Sequence, residues 1–131
     1  INAEHLGHFV ETALEAGALD VFHTPIQMKK NRPGVLLTVL CAEADTDRFS
    51  ELILRETTAL GIRRHAVDRR KLRREVAIVE TSLGQVRVKL GRLNGEVVQA
   101  APEYESCREV ATQAGVSLKE VYAAAQKALE Y

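Results

Sequence analysis

The chain predicts an α+β fold: a ferredoxin-like βαββαβ sandwich with its first strand truncated, then a β-meander and a C-terminal helical hairpin. Three observations carry this. The stretch up to Ile62 reads as helix, hairpin, helix and the start of a strand. Residues 74–101 carry meander signals, most cleanly the alternation around Val86, Val88 and Leu90. Two helix patterns with recognisable start and stop signals finish the chain. The expected division is 1–72 for the ferredoxin-like subdomain and 73–131 for the meander and its two helices, packed as one unit with the first.

Residues 3–16 place Leu6, Phe9, Val10, Ala13 and Leu14 on one helical face, and Gly17 ends the run. An extended stretch, 18–28, puts Phe22, Thr24, Ile26 and Met28 on one strand face. Lys30-Asn31-Arg32-Pro33-Gly34 then reads as a turn, with Pro-Gly suited to the centre of a type II turn. Residues 35–41 (VLLTVLC) are a nearly continuous apolar run, the pattern of a strand buried on both faces. A second helix fits 45–60, capped by Thr46 or Asp45, with Phe49, Leu52, Ile53 and Leu60 inward and Gly61 as its stop. A strand follows from Ile62, and a strand ahead of Ile1 would complete the βαββαβ order.

In the meander, Ser82-Leu83-Gly84 makes one turn and Asn94-Gly95 is a strong short-hairpin signal. Pro102 closes the strands. Helices are expected over 103–114, with Cys107, Val110, Ala111 and Ala114 inward, and over 118–130, opened by Ser117 and Glu120 in a capping-box arrangement. The start at Ile1 lacks Met, falls inside a helical pattern and resembles no signal peptide, so the chain reads as a piece of a longer one.

Charge is balanced in total and segregated along the chain. The 131 residues hold 18 Lys plus Arg and 18 Asp plus Glu, for a formal net charge of zero, with 46% hydrophobic and 27% charged residues. These values exclude a disordered polyelectrolyte and a protein held to nucleic acid or membrane by bulk charge. No apolar run approaches the roughly 18–20 residues that span a bilayer. Residues 1–28, however, contain Glu4, Glu11, Glu15 and Asp20 and no Lys or Arg; Lys29, Lys30 and Arg32 follow at once. A second basic insert, 62–75, holds Arg63, Arg64, Arg69, Arg70, Lys71, Arg73 and Arg74 against Asp68 and Glu75. Anionic ligands belong at these two inserts.

Met28 to Gly34 is the sharpest of the candidate sites. Lys supplies mobile point charges, Arg a planar fork that matches two phosphate oxygens, and Gly34 close backbone approach. A solvated basic turn is the plain alternative. The 62–75 run reads as a solvated edge, an interface or an RNA-attracting surface, except that Arg63 sits where the second helix meets the next strand. His5 and His8 share a helix face with Glu4 and Glu11 at acceptable metal-ligand spacing, but nothing obliges a third ligand, and no metal site is assigned. Cys41 and Cys107 lie 66 residues apart with no CxxC spacing and read as buried free thiols of a reduced, cytoplasmic protein. Residues 109–122 have the layout of a helix-turn-helix, yet the second helix offers Lys119, Ala123, Ala124, Gln126 and Lys127 in an acidic region, poor material for base readout.

Three segments carry a family resemblance: Ala16 to Phe22 with Pro25 to Gly34, Arg55 to Arg63 (RETTALGIR), and Pro102 to Cys107 (PEYESC). Over nearly all 131 residues the chain resembles the C-terminal domain of LarC-type nickel-insertion proteins, which complete the nickel-pincer cofactor of lactate racemase. The resemblance implies a CTP-dependent cyclometallase of the lyase class that inserts Ni²⁺ into pyridinium-3,5-bisthiocarboxylic acid mononucleotide, with CMP as product. It implies that this domain binds CTP with Mg²⁺ or Mn²⁺ and forms a homo-oligomer, the fragment alone being nucleotide-binding only. Lys29, Lys30 and Arg32 fall in the family's lysine-lysine-arginine turn. Arg55, Glu56, Thr57 and Thr58 fall in the motif ending the second helix, and Arg63 just beyond it. Arg63 is expected to add phosphate charge, Thr57 or Thr58 to donate a hydroxyl to ligand or backbone, and Glu56 to hold Lys30 or the metal's water shell. Glu103 and Tyr104 belong to the family's Pro-Glu-Tyr-Glu motif. A divalent ion bridging phosphate oxygens and otherwise hydrated needs no dense carboxylate cluster. The alternative from another class is a nucleic-acid-binding or assembly module using 62–75 and the C-terminal helices; membrane partners are not expected, and nucleic acid is disfavoured.

Overall fold

The first helix forms where the sequence supplies a cap and a stripe. A computed structural model describes residues 1–129. Asn2 accepts the His5 backbone N–H at 2.9 Å and opens α1, Ala3–Glu15. Its buried stripe is Leu6, Phe9 and Ala13, while Leu14 is about half exposed. Gly17 adopts φ +99°, and the Ala18 N–H returns to the Ala13 carbonyl at 3.0 Å, turning the chain into the first strand.

Strands β1, Asp20–Gln27, and β2, Pro33–Leu40, pair antiparallel from Asp20 opposite Leu40 to Gln27 opposite Pro33. Val21, Leu37 and Val39 face the core of Phe9, Ala13 and Phe49. Two expectations fail here. The buried parity of β1 is that of Val21, whereas Phe22 and Met28 stand about half exposed. In β2 one face alone is covered, and Leu36 and Leu40 join Phe22 on an open apolar face. Both strands carry apolar residues at both parities, so the helices, not the pattern, decide which side is buried.

Helix α2, Thr46–Glu56, follows a 3₁₀ turn at Glu43–Asp45 and buries Phe49, with Leu52 and Ile53 packed beside it. Arg48 lays its guanidinium 4.5 Å from the Phe49 ring centroid and donates to the Ala16 carbonyl at 2.8 Å, tying α2 to the end of α1. The helix stops at Glu56, four residues before the expected end, and Leu60 is fully exposed. The strand expected from Ile62 does not form: residues 57–72 contain neither helix nor strand. Ile62, Val67 and Leu72 are spaced five apart among cations, so no face of that segment alternates as a strand; Ile62 and Leu72 are half-buried and Val67 is exposed. The basic run enters regular structure only at Arg73.

The chain divides into two compact units, Ile1–Asp68 and the part from Arg69 onward. In the second unit β3, Arg73–Thr81, β4, Gly84–Leu93, and β5, Glu96–Pro102, form an antiparallel sheet in that order. The Thr81 hydroxyl accepts the Leu83 and Gly84 N–H groups at 3.1 Å in the first turn. Asn94 and Gly95 take φ +52° and +83° in the second, the left-handed pair a two-residue hairpin needs. Helix α3, Tyr104–Ala114, ends on Gly115 at φ +67°, and Ser117 accepts the Glu120 N–H at 3.2 Å ahead of α4, Leu118–Leu129. Both helices cover one sheet face around Val86, Cys107, Val110, Val121 and Ala125. The architecture is therefore mixed α+β, with two antiparallel sheets and a C-terminal helical pair. The expected inward position of Ala114 is not seen; it is exposed.

Candidate functional site

The tip between β1 and β2 brings three cations together. Lys29–Asn31 form a tight turn, and the Met28 N–H donates to the Arg32 carbonyl at 2.7 Å, closing it. Lys30 (φ +59°, ψ +26°) and Asn31 (φ +56°) both lie in the left-handed region. That conformation suits Asn and is uncommon for Lys. Gln27 donates to the Asn31 side-chain oxygen at 2.9 Å and braces the loop. Pro33 and Gly34 are not central turn residues as expected. They begin β2, where a proline is tolerated at a strand's first position. A Cβ on Gly34 would collide with the Met28 sulfur, so a larger residue there would displace the half-exposed Met28 side chain.

Lys29, Lys30 and Arg32 are exposed and have no ion-pair partner among the described residues. Three uncompensated charges within four residues raise a local positive potential that an anion would relieve.

The second predicted group is used differently. Arg55 donates twice to Glu51, at 2.7 and 2.9 Å, one helical turn away. Thr57 donates to the Ile53 carbonyl at 2.6 Å and accepts the Ala59 N–H at 3.2 Å, so its hydroxyl finishes α2. Thr58 is exposed just after it. Glu56 and Arg63 are exposed without ion-pair partners among the described residues, and Glu56 does not hold Lys30. No described hydrogen bond or ion pair joins the tip to the end of α2. No group of three or more His, Cys, Asp and Glu is gathered to hold a metal among the described residues. No helix there is long and apolar enough to cross a membrane.

Glu103 has a definite place. Its N–H donates to the Arg87 carbonyl at 2.9 Å, and its carboxylate accepts from Arg87 Nε at 3.1 Å. Tyr104, beside it, is exposed. The helix-turn-helix layout resolves into a hairpin lying on the sheet, with Val121, Ala125 and Leu129 of α4 buried.

One feature of the second unit was only half legible in the sequence. An open groove of about 380 Å³ is lined by Arg69, Arg70, Lys71 and Arg74 of the basic run, but also by Lys89, Gly91, Gln99 and Ala101. Strand register, which no local pattern fixes, places the latter four beside the run.

The family model described as "Nickel insertion protein" matches residues 1–122. A putative nickel insertion protein of Geobacter metallireducens is 49% identical over 122 residues, covering 93% of this chain and 31% of that protein. A pyridinium-3,5-bisthiocarboxylic acid mononucleotide nickel insertion protein of a Thermotoga species is 43% identical over 123 residues, with 94% and 31% covered. The chain thus spans about a third of the length of these relatives. Among solved structures it superimposes on LarC2, the C-terminal domain of a cyclometallase involved in synthesis of the NPN cofactor of lactate racemase. That match has a TM-score of 0.85 and 40% identity, covering 99% of this chain and 90% of the other. On the strength of these matches the chain belongs to the nickel insertion protein family.

Proposed function

We propose that this chain is the nucleotide-binding part of a CTP-dependent nickel chelatase, and that the Lys29–Arg32 tip holds the triphosphate. The observation that carries the reading is the set of three exposed, unpaired cations on a braced left-handed turn. Lys29 and Lys30 neutralise phosphate oxygens as point charges, and Arg32 offers two parallel N–H donors. Arg63 adds a further cation from the segment after α2. Arg55, Glu56, Thr57 and Thr58 serve as the support that ends α2, with Glu56 the one free to meet a hydrated cation.

The residues fit a hydrated Mg²⁺ or Mn²⁺ held chiefly by the nucleotide's own phosphates. Such an ion, when bound, offsets phosphate charge and polarises phosphoryl oxygens. Nickel is the substrate metal, and the pyridinium-3,5-bisthiocarboxylic acid mononucleotide named for the Thermotoga relative is the acceptor in the longer protein. In that setting the chain contributes to nickel-pincer cofactor synthesis in the cytoplasm, as part of a lyase-class cyclometallase that turns CTP into CMP. The open apolar face of Phe22, Leu36 and Leu40 supports homo-oligomer formation.

Calorimetric titration of CTP with Mn²⁺ tests the tip. Binding is expected for the unsubstituted chain and at least a tenfold loss for Lys30→Asn, which keeps the turn and removes the charge. Equal affinity for both proteins, or none for either, overturns the reading.

A further inference from the structure

The outer face of the β3-β4-β5 sheet, opposite the helices, carries a second arrangement of cations. Register sets two rows across it: Arg74, Gly91 and Gln99, then Val76, Lys89 and Ala101. Gly91 and Ala101 sit diagonally; Gly91 is buried beneath the Leu72 side chain, and Leu72 with exposed Ala101 makes a shallow apolar floor beside Arg74, Lys89 and Gln99. Leu72 lies over Gly91 so closely that a Cβ there would come within 2.7 Å of the Leu72 Cδ1. The exposed residues Arg69–Lys71 are thereby laid along the rim, and with Leu72 and Leu90 they line an open groove of about 380 Å³. That size lies within the range of small-ligand clefts, about 300–1,000 Å³.

Its charge is one-sided. Arg69, Arg70, Lys71, Arg74 and Lys89 line it, and no carboxylate does. None of the five has an ion-pair partner among the described residues, although neighbouring Arg73 and Arg92 are both paired with Glu75, and Arg87 with Glu103. Glu75 and Glu103 are thus spent on other arginines. Five cations around an apolar floor select a ligand with a compact, doubly charged anionic group and a flat, weakly polar body.

We propose that this groove binds a mononucleotide: its phosphate monoester held between Arg74, Lys89 and the Arg69–Lys71 rim, its ring on the floor made by Leu72 and Ala101. The site shares no residue with the Lys29–Arg32 tip, and only the choice of probes rests on the function proposed above. Two sources share this chemistry, a cytidine monophosphate and a pyridinium mononucleotide.

The test titrates the full chain with CMP, nicotinate mononucleotide and inorganic phosphate, using the unsubstituted protein, R74Q/K89Q, Ala101→Phe and Lys30→Asn. Arg74, Lys89 and Ala101 are exposed on the sheet surface, and unchanged melting of each variant confirms folding. The expected result is binding of at least one mononucleotide at least tenfold tighter than of inorganic phosphate. R74Q/K89Q and Ala101→Phe lose that binding tenfold or more, and Lys30→Asn retains it. The tighter of the two mononucleotides identifies the source. Undiminished binding in R74Q/K89Q, loss in Lys30→Asn, or no preference over inorganic phosphate overturns the proposal. Tighter, steeply salt-dependent capture of a single-stranded oligonucleotide by the same residues also overturns it, in favour of a nucleic-acid surface.

Discussion

Arg87 and Glu103 hold each other twice: the Glu103 N–H donates to the Arg87 carbonyl at 2.9 Å, and Arg87 Nε donates to the Glu103 carboxylate at 3.1 Å. The Arg87 N–H in turn donates to the hydroxyl of buried Ser106 at 2.8 Å. β5 ends at Pro102, opposite Val88, so Arg87 is the first β4 residue beyond that ladder. The first turn of α3 takes over both of its backbone groups. Helix and sheet are joined there by hydrogen bonds as well as by packing.

Ser106→Ala leaves the Arg87 N–H without its partner in a buried setting. A loss of about 1–2 kcal/mol is expected. Urea unfolding should show a lower midpoint at unchanged slope, and an unchanged midpoint would mean that water replaces the hydroxyl.

Glu75 is clamped by Arg92 at 2.7 Å and by Arg73 at 3.5 Å, which holds its carboxyl below the usual range, the Arg92 hydrogen bond being the main cause. A depressed folded-state pKa stabilises the fold above the unfolded carboxylate value of about 4.3. That contribution disappears as pH falls through the folded value. Stability measured between about pH 3 and 6 should therefore fall less steeply for Arg92→Gln than for the unsubstituted chain.

The thiols should separate by reactivity. Cys107 is fully buried in the core of the second unit, and burial pushes its thiol pKa up, whereas Cys41 is half-buried. Iodoacetamide at mildly alkaline pH is expected to label Cys41 first, and Cys107 only in denaturant. Equal labelling of both in the native state would contradict the burial.

At the tip, Lys30 holds a left-handed backbone at a cost of roughly 1 kcal/mol relative to glycine. Lys30→Gly should leave stability unchanged or raise it by up to that amount while removing the charge. Lys30→Ala removes the charge without relieving the backbone. Chemical denaturation of the two variants distinguishes strain from electrostatics, and equal stability of both would argue against strain.

Much of this was legible in the sequence because some signals are local and mutually consistent. The Leu6-Phe9-Ala13 stripe, the Asn94-Gly95 hairpin, the Val86-Val88 alternation and the Ser117 cap all appear where their residues predict. The tip cations were legible as well, since three bases in four residues need no tertiary information. What failed depends on partners distant in sequence. Pro33-Gly34 looks like a turn until Gln27 is seen to pair with Pro33, which moves the reversal back to Lys30 and Asn31. Helix α2 was extended to Leu60 because the apolar spacing continues, but Thr57 caps the helix first. Lys89 carries no local mark of a site; only the pairing of β4 with β3 and β5 sets it between Val76 and Ala101.

The open face of the β1–β2 ribbon also has a colloidal consequence. With 18 cationic and 18 anionic side chains, no net repulsion keeps copies of the chain apart at pH 7. Phe22, Leu36 and Leu40 offer each encounter a sticky surface. Solubility should therefore pass through a minimum near neutrality and rise toward pH 9, and sulfate should precipitate the chain more readily than chloride. A concentrated sample is best kept on the alkaline side of its isoelectric point.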